Sequence, residues 1–236
     1  MAQFYGKNSG YLIKKEFKYF SFSILLLLAV VLFVWVAMKF LPQGTISIVA
    51  LIGIVFVIFL ADPFLNFFRR KSNQYYRGSG GEQLIKNELK KLADSFSVFQ
   101  DVTIGEGKGN LDFVVLGPPG LFIIEVKSHK GEIGYNGYEL TLNGRSFTDK
   151  SFLRQVHGQT WALKNFLKQQ TGADIHIHSA LVFSSPFASM HFGYEPIENV
   201  YIVGKDFLLG LFDHFPNSQQ GQDLFKIKQA LQKTLR

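Results

Sequence analysis

The sequence predicts an α/β globule, a mixed sheet flanked by helices, preceded by a pair of membrane-crossing helices. Three observations carry this reading. Two long uncharged apolar stretches follow one another near the N-terminus. The remainder alternates helix and strand periodicities in the order α-β-β-β-α-β and then β-α-α. Hydrophobic residues make up 47% of the 236 positions against 18% charged, which excludes a disordered chain. The absence of cysteine excludes a disulfide scaffold, thiolate–zinc and iron–sulfur sites, and a catalytic cysteine.

Residues 1–71 read as a membrane hairpin, with spans at about 19–38 and 44–61. Tyr19–Met38 is 20 residues without a charge, and 22 more lie between Lys39 and Asp62. At about 1.5 Å per residue each stretch matches the roughly 30 Å hydrocarbon core. A cleaved signal peptide fits poorly, because a second span follows directly and no A-x-A site separates them. Leu41-Pro42-Gln43-Gly44 makes a tight connection. Lys7, Lys14, Lys15 and Lys18 precede the first span, and Arg69, Arg70, Lys71 and Arg77 follow the second. The positive-inside rule then places both termini and the globule on the cytoplasmic face of the inner (plasma) membrane. Lys39 is expected to snorkel to the outer interface beside Trp35.

The charge divides accordingly. Residues 1–71 hold 8 Lys+Arg and 2 Asp+Glu, a net +6, while residues 72–236 hold 17 and 16, a net +1. The basic excess of +7 therefore reports membrane topology and a lipid-bilayer partner, and gives no support to nucleic-acid binding by the globule.

A Gly-rich segment, 72–81, reads as a linker, and 82–236 as the globular domain. From Glu82, apolar residues at 84, 85, 89 and 92 have helical spacing. Ser97–Ile104 alternates loosely as a strand. Leu111–Leu116 and Leu121–Val126 flank Gly117-Pro118-Pro119-Gly120 and form a β-hairpin. Gly131–Thr148 reads as a smaller hairpin and Phe152–Gln170 as a helix. Ile175–Phe183 and Asn199–Val203 read as strands, with short helices at Phe207–Phe215 and Asp223–Leu235.

The central hairpin carries the chemistry. If Leu116 faces Leu121, Asp112 falls opposite Glu125, with Cβ atoms about 4.5–5.5 Å apart. Lys127, two residues on, shares the face of Glu125. Two carboxylates and an ammonium would then converge. Such oxygen ligands suit Mg²⁺ (or Mn²⁺), which takes one or two carboxylates and bridges to phosphate. The ion would polarise a phosphoryl oxygen and acidify a bound water, with Lys127 orienting that water. The plainer reading, solvated residues at a strand end and a turn, stands beside it, because Glu-x-Lys is a common tripeptide.

These residues resemble the nuclease-related domain (NERD) family of the PD-(D/E)XK nuclease superfamily. The resemblance covers about 78–183. It rests on Gly78-x-x-Gly81-Glu82, Asp112, Ile124-Glu125-Val126-Lys127, Gly131-Glu132-Ile133 and Gln155. It implies a restriction-endonuclease-like αβββαβ core. It also implies that Asp112 and Glu125 bind the metal, that Lys127 serves the attacking water, and that Glu82 and Gln155 complete the site. The family often has Asn-Pro ahead of the glutamine where this chain has Phe152-Leu153-Arg154, and Gln159, one turn on, is a weaker substitute.

Other candidates read as structural. His176 and His178 are two imidazoles on one strand with no third ligand nearby. His129 reads as a solvated strand end, Gly105–Asn110 as a turn without the P-loop pattern, and Lys164 and Lys168 as a solvated helix face. Ser184, Ser185 and Ser189 form no nucleophile elbow. The expected function is a membrane-anchored nuclease hydrolysing DNA or RNA. The alternatives are a catalytically silent nuclease-fold scaffold binding nucleic acid or a protein, and a membrane-hairpin assembly factor.

Overall fold

A computed structural model describes residues 1–6, 32, 35, 36, 39, 80–104, 110–147, 151–217 and 221–235. The chain divides into two compact units, one of Met1–Asn8 with Arg77–Arg236 and the other of Ser9–Tyr76. The sequence grouped residues 1–6 with the membrane segment, whereas they carry a strand of the globule's sheet.

The first unit is built on a six-stranded mixed sheet in the order β1-β2-β3-β4-β8-β10. Its strands are β1 (Gln3–Tyr5), β2 (Ser97–Thr103), β3 (Asn110–Gly117), β4 (Gly120–Lys127), β8 (Ile177–Phe183) and β10 (Val200–Gly204). Strands β2, β3 and β4 run antiparallel, and β4, β8 and β10 run parallel. Strand β1 adds to the edge in parallel with β2, and Tyr5 stacks on Phe99 at 5.0 Å. A second sheet, β7-β6-β5-β9, is made of β5 (Gly131–Tyr135), β6 (Leu140–Leu142), β7 (Arg145–Ser146) and β9 (Ala188–Ser189). The expected small hairpin is thus one part of a four-stranded sheet.

Strands β3 and β4 are apolar on both faces because both faces are covered. Val114, Leu116, Leu121 and Ile123 pack with Val156, Leu163 and Leu167 of α2 (Phe152–Thr171) and with Ile227 and Leu231 of α4 (Gly221–Lys233). Phe113, Val115, Phe122 and Ile124 point the other way. They meet Ile85 and Leu89 of α1, whose described part runs over 80–89, and Leu208, Leu211 and Phe212 around α3 (Leu208–Asp213). The hairpin register is the one expected: Leu116 pairs with Leu121 and Phe113 with Ile124. The order from α1 to β8 is α-β-β-β-α-β once the small sheet is set aside.

Helix α2 is bounded by local chemistry. The Ser151 side chain accepts from Arg154 N, and Gly172 closes the helix in the left-handed conformation, φ 75°; both are favoured capping devices. At the start of α1, Gly80 and Gly81 are helical, so the linker expected up to residue 81 is at least two residues shorter.

In the second unit only Leu32, Trp35, Val36 and Lys39 are described, all helical. Lys39 Nζ lies 4.7 Å from the Trp35 ring centroid. The expected spans otherwise lie outside the described residues, as do Gly105–Gly109 and Gly78. Among the described residues no helix is long and apolar enough to cross a membrane.

Candidate active site

The site forms where β3 and β4 part. The ladder between them ends at Phe113 and Ile124. Asp112 then turns its carboxylate onto the backbone: Val126 N donates to Asp112 Oδ2 at 2.7 Å. Glu125 is 4% exposed and is held by three donors. Lys127 Nζ and Gln155 Nε2 reach Oε1, each at 2.6 Å, and Gln159 Nε2 reaches Oε2 at 2.7 Å. Lys127 Nζ also donates to Gln155 Oε1 at 3.1 Å and lies 4.8 Å from the Phe152 ring centroid. Gln155 and Gln159, four apart on α2, lie on one helix face and close on both oxygens of one carboxylate.

The glutamine pair settles a choice that spacing left open. Gln155 bridges Glu125 and Lys127, while Gln159, the more deeply buried, alone serves Oε2. Both glutamines thus reach the same carboxylate, one on each oxygen.

Glu82 comes from α1, whose start is pressed against the ends of β4 and β8. A Cβ on Gly81 would lie 2.5 Å from Ser184 Oγ and 3.3 Å from Ser128 Cβ, so only glycine permits this approach. Ser184 is tied to the site in turn, its N donating to Lys127 O at 2.9 Å. Burial, then the Asp101 and Glu125 carboxylates, push Glu82 from 4.5 up to about 7. Burial and Glu125 likewise hold Asp112 well above the ordinary carboxylate range, against the lowering effect of the Val126 N–H.

Asp101 escaped the sequence reading. Gln100 pairs with Phe113 and Val102 with Leu111, so Asp101 and Asp112 occupy opposite positions that the ladder skips. Asp101 has φ 55°, a costly conformation for a non-glycine residue outside turns. Its Oδ2 is buried without a hydrogen-bond partner. Burial raises its carboxyl, and Lys86 offsets part of this. The trace in the sequence is the polar pair Gln100-Asp101 interrupting Val98, Phe99 and Val102.

The remaining candidates are placed elsewhere. His129 is half-buried, edge-on to Phe147 at 5.1 Å and tilted against Phe152 at 5.4 Å; it is therefore no solvated strand end. His178 stacks on Phe122 at 4.7 Å and lies 4.1 Å from Phe215, with His176 against it at 4.6 Å. Lys164 pairs with Asp174 at 3.0 Å. Among the described residues no group of three or more His, Asp or Glu is gathered to hold a metal ion. Asp112 and Glu125 are a two-carboxylate arrangement.

The class is now defined: a mixed α/β domain that turns two carboxylates, a lysine and two amides into one pocket. The model of the nuclease-related domain (NERD) matches residues 77–184, a span that holds every residue of this pocket and gives the domain a nuclease-like fold. No curated protein matches the chain. Among solved structures it is similar to Pyrococcus furiosus SfsA in complex with Ca²⁺, at 15% identity and TM-score 0.27, over 56% of this chain and 57% of that one. The similarity thus spans little more than half of that protein's length.

Proposed function

We propose that this protein is a membrane-anchored, divalent-metal-dependent nuclease that hydrolyses phosphodiester bonds of DNA or RNA on the cytoplasmic face. The observation that carries this is the grip on Glu125. A buried carboxylate with an amide on each oxygen and a lysine at 2.6 Å is oriented more tightly than a solvated strand end would be.

Asp112 and Glu125 are the residues that would hold Mg²⁺ or Mn²⁺. A carboxylate offers about four lone-pair sites. Three donors occupy Glu125 and one occupies Asp112, so both retain capacity for a further ligand. Burial first, and neighbouring carboxylates second, push Asp112 and Glu82 upward, and a bound cation would offset the second of these causes. When bound, the ion supplies polarisation of the phosphoryl oxygen and a more acidic water. The chain's own part is orientation. Gln155 and Gln159 fix the plane of Glu125, Val126 N–H fixes Asp112, and Phe152 supports Lys127. Two of the three ammonium donors of Lys127 are engaged by Glu125 and Gln155, and the third is directed to substrate or water. Glu82 adds a further carboxylate at the rim.

The anchor is supported by the two uncharged stretches and their basic flanks. Residues 1–8 and 77–236 belong to one unit, so the segment between them leaves and rejoins the same body, as both flanks on one side of a bilayer require. Leu32, Trp35 and Val36 are exposed apolar residues of a helix in that segment.

The test is cleavage of single- and double-stranded DNA and RNA by the detergent-solubilised full chain with Mg²⁺ or Mn²⁺. Cleavage lost in Asp112→Ala and Lys127→Ala supports the proposal. Cleavage indifferent to both substitutions, or no cleavage of any substrate, rejects it. The latter result together with retained nucleic-acid binding selects the silent scaffold.

A further inference from the structure

At the far end of the sheet from Glu125, an open groove of about 540 Å³ lies at the start of β8 and β10. The β4–β8 register sets Glu125 beside Leu181 and Leu121 beside Ile177. Ser179 pairs with Ile123, so at about 3.3 Å per residue the groove runs from roughly 7 Å at Ser179 to roughly 13 Å at Ile177 from Glu125 along the strand. Nothing in the proposed chemistry uses it.

Its lining has a definite character. Trp161 (62% exposed), Tyr201 and His176 present ring surfaces, and Thr160, Ser179 and Asn199 present polar atoms. No Lys, Arg, Asp or Glu lines it among the described residues, so it has no group to neutralise a phosphate and no carboxylate for a cation. His178 is fixed by its stack on Phe122 and Phe215. Burial and the neighbouring His176 lower it to about 4, so it is neutral at pH 7.

The hydroxyl pair has a defined polarity. Thr160 Oγ1 donates its hydrogen to Val156 O at 2.8 Å. The 2.7 Å contact between Thr160 Oγ1 and Ser179 Oγ is then donated by Ser179. Both hydrogens are spent, so the oxygens of the half-buried Thr160 and the buried Ser179 have only lone pairs left to offer a ligand. Asn199, at the mouth, can donate and accept.

Asn199 sits in a turn whose cost falls on Glu198. Glu198 and Asn199 are consecutive left-handed residues, φ 48° and 62°, in a two-residue turn closed by both bonds between Ile197 and Val200, each 2.9 Å. The turn is braced by His157 Nε2 on Glu198 O at 2.7 Å and Tyr135 OH on Glu198 Oε1 at 3.1 Å. Paired left-handed positions ordinarily call for glycine or asparagine, and such conformations persist where surrounding structure enforces them, often at binding sites.

We infer that this groove binds a nucleobase. The ring lies against the aromatic walls, an amino edge donates to Thr160 and Ser179, and Asn199 reads the adjoining edge. Flat rings with polar edges match such walls, as aromatic side chains accept any base by stacking. The base belongs to a free nucleoside or to a nucleic-acid strand, and the site stands independently of catalysis at Glu125.

The chain holds two tryptophans, so Trp35→Phe leaves Trp161 as sole reporter in the full-length protein. Its fluorescence is titrated with adenosine, cytidine, uridine, short single-stranded oligonucleotides and inorganic phosphate, all in EDTA. The expected result is saturable quenching, with adenosine and cytidine several-fold tighter than uridine, which lacks the amino group. Asn199→Gly keeps the turn's backbone and removes the amide, and it weakens binding about tenfold. Ser179→Ala does the same where it folds. Quenching by nucleosides identifies a free ligand; quenching by oligonucleotides alone identifies a base within a strand. No saturable quenching by any base-containing probe, equal quenching by phosphate, or an Asn199→Gly protein that binds like its parent overturns the inference.

Discussion

Glu82 makes the protein's stability depend on pH in an unusual direction. Its carboxyl titrates at about 7 in the folded protein against 4.5 for an ordinary glutamate. Between those values the folded state keeps a proton that the unfolded chain has released, so stability falls as pH rises through this window. The full difference corresponds to about 3 kcal/mol, and partial exposure reduces this to roughly 1–2 kcal/mol. For a unit of this size that lowers Tm by roughly 2–8 °C between pH 5 and pH 8. Asp112, pushed in the same direction, adds to the slope, so the informative comparison is with Glu82→Gln. Circular-dichroism melts of the full chain in detergent and EDTA should show the wild type losing more stability than Glu82→Gln over this range. The variant should be the more stable protein at pH 8. Mn²⁺ should return part of the stability at pH 8 to the wild type, because a cation offsets the carboxylate repulsion that adds to burial in raising both groups. Equal pH slopes in wild type and variant would refute the electrostatic account of the pocket.

Three further perturbations follow from the same contacts. Gln159→Ala leaves the buried Glu125 Oε2 without its donor and should cost about 1–3 kcal/mol in denaturant melts; Gln155→Ala, which leaves Lys127 on Oε1, should cost less. Gly81→Ala forces a Cβ toward Ser184 Oγ and should destabilise by about 1–3 kcal/mol, with part of the loss recovered in the Gly81→Ala/Ser184→Ala double variant, measured by the same melts. Asp101→Asn keeps a residue tolerant of φ 55° and removes a charge beside Glu82, so the pH at which stability falls should move toward the ordinary glutamate value, while Asp101→Ala retains the strain and should be the less stable of the two.

The hairpin was legible because its turn leaves one choice. Gly117-Pro118-Pro119-Gly120 between two apolar runs sets the register, and the register alone brings Asp112, Glu125 and Lys127 together. The order of elements was legible for a similar reason: strands buried on both faces read as continuous apolar runs. Gln159 was ranked behind Gln155 because sequence spacing shows which residues share a helix face but not that Glu125 offers an oxygen to each. Asp101 was invisible because its importance comes from a break in the β2–β3 ladder, which no periodicity reports. Strand β1 is three residues long and pairs with a partner more than 90 positions away, too short and too distant for a pattern. The stacking of His178 between Phe122 and Phe215 depends on a helix end meeting the sheet, which the local sequence does not contain.

The central claim is that Asp112 and Glu125 share a divalent ion while Lys127 faces the substrate. Crystals of the full chain soaked in Mn²⁺, with anomalous diffraction recorded at the manganese edge, test it most directly. The account predicts one strong anomalous peak within coordination distance of both carboxylates, absent from Glu125→Ala crystals. A peak elsewhere on the protein, or none at saturating Mn²⁺, would contradict it.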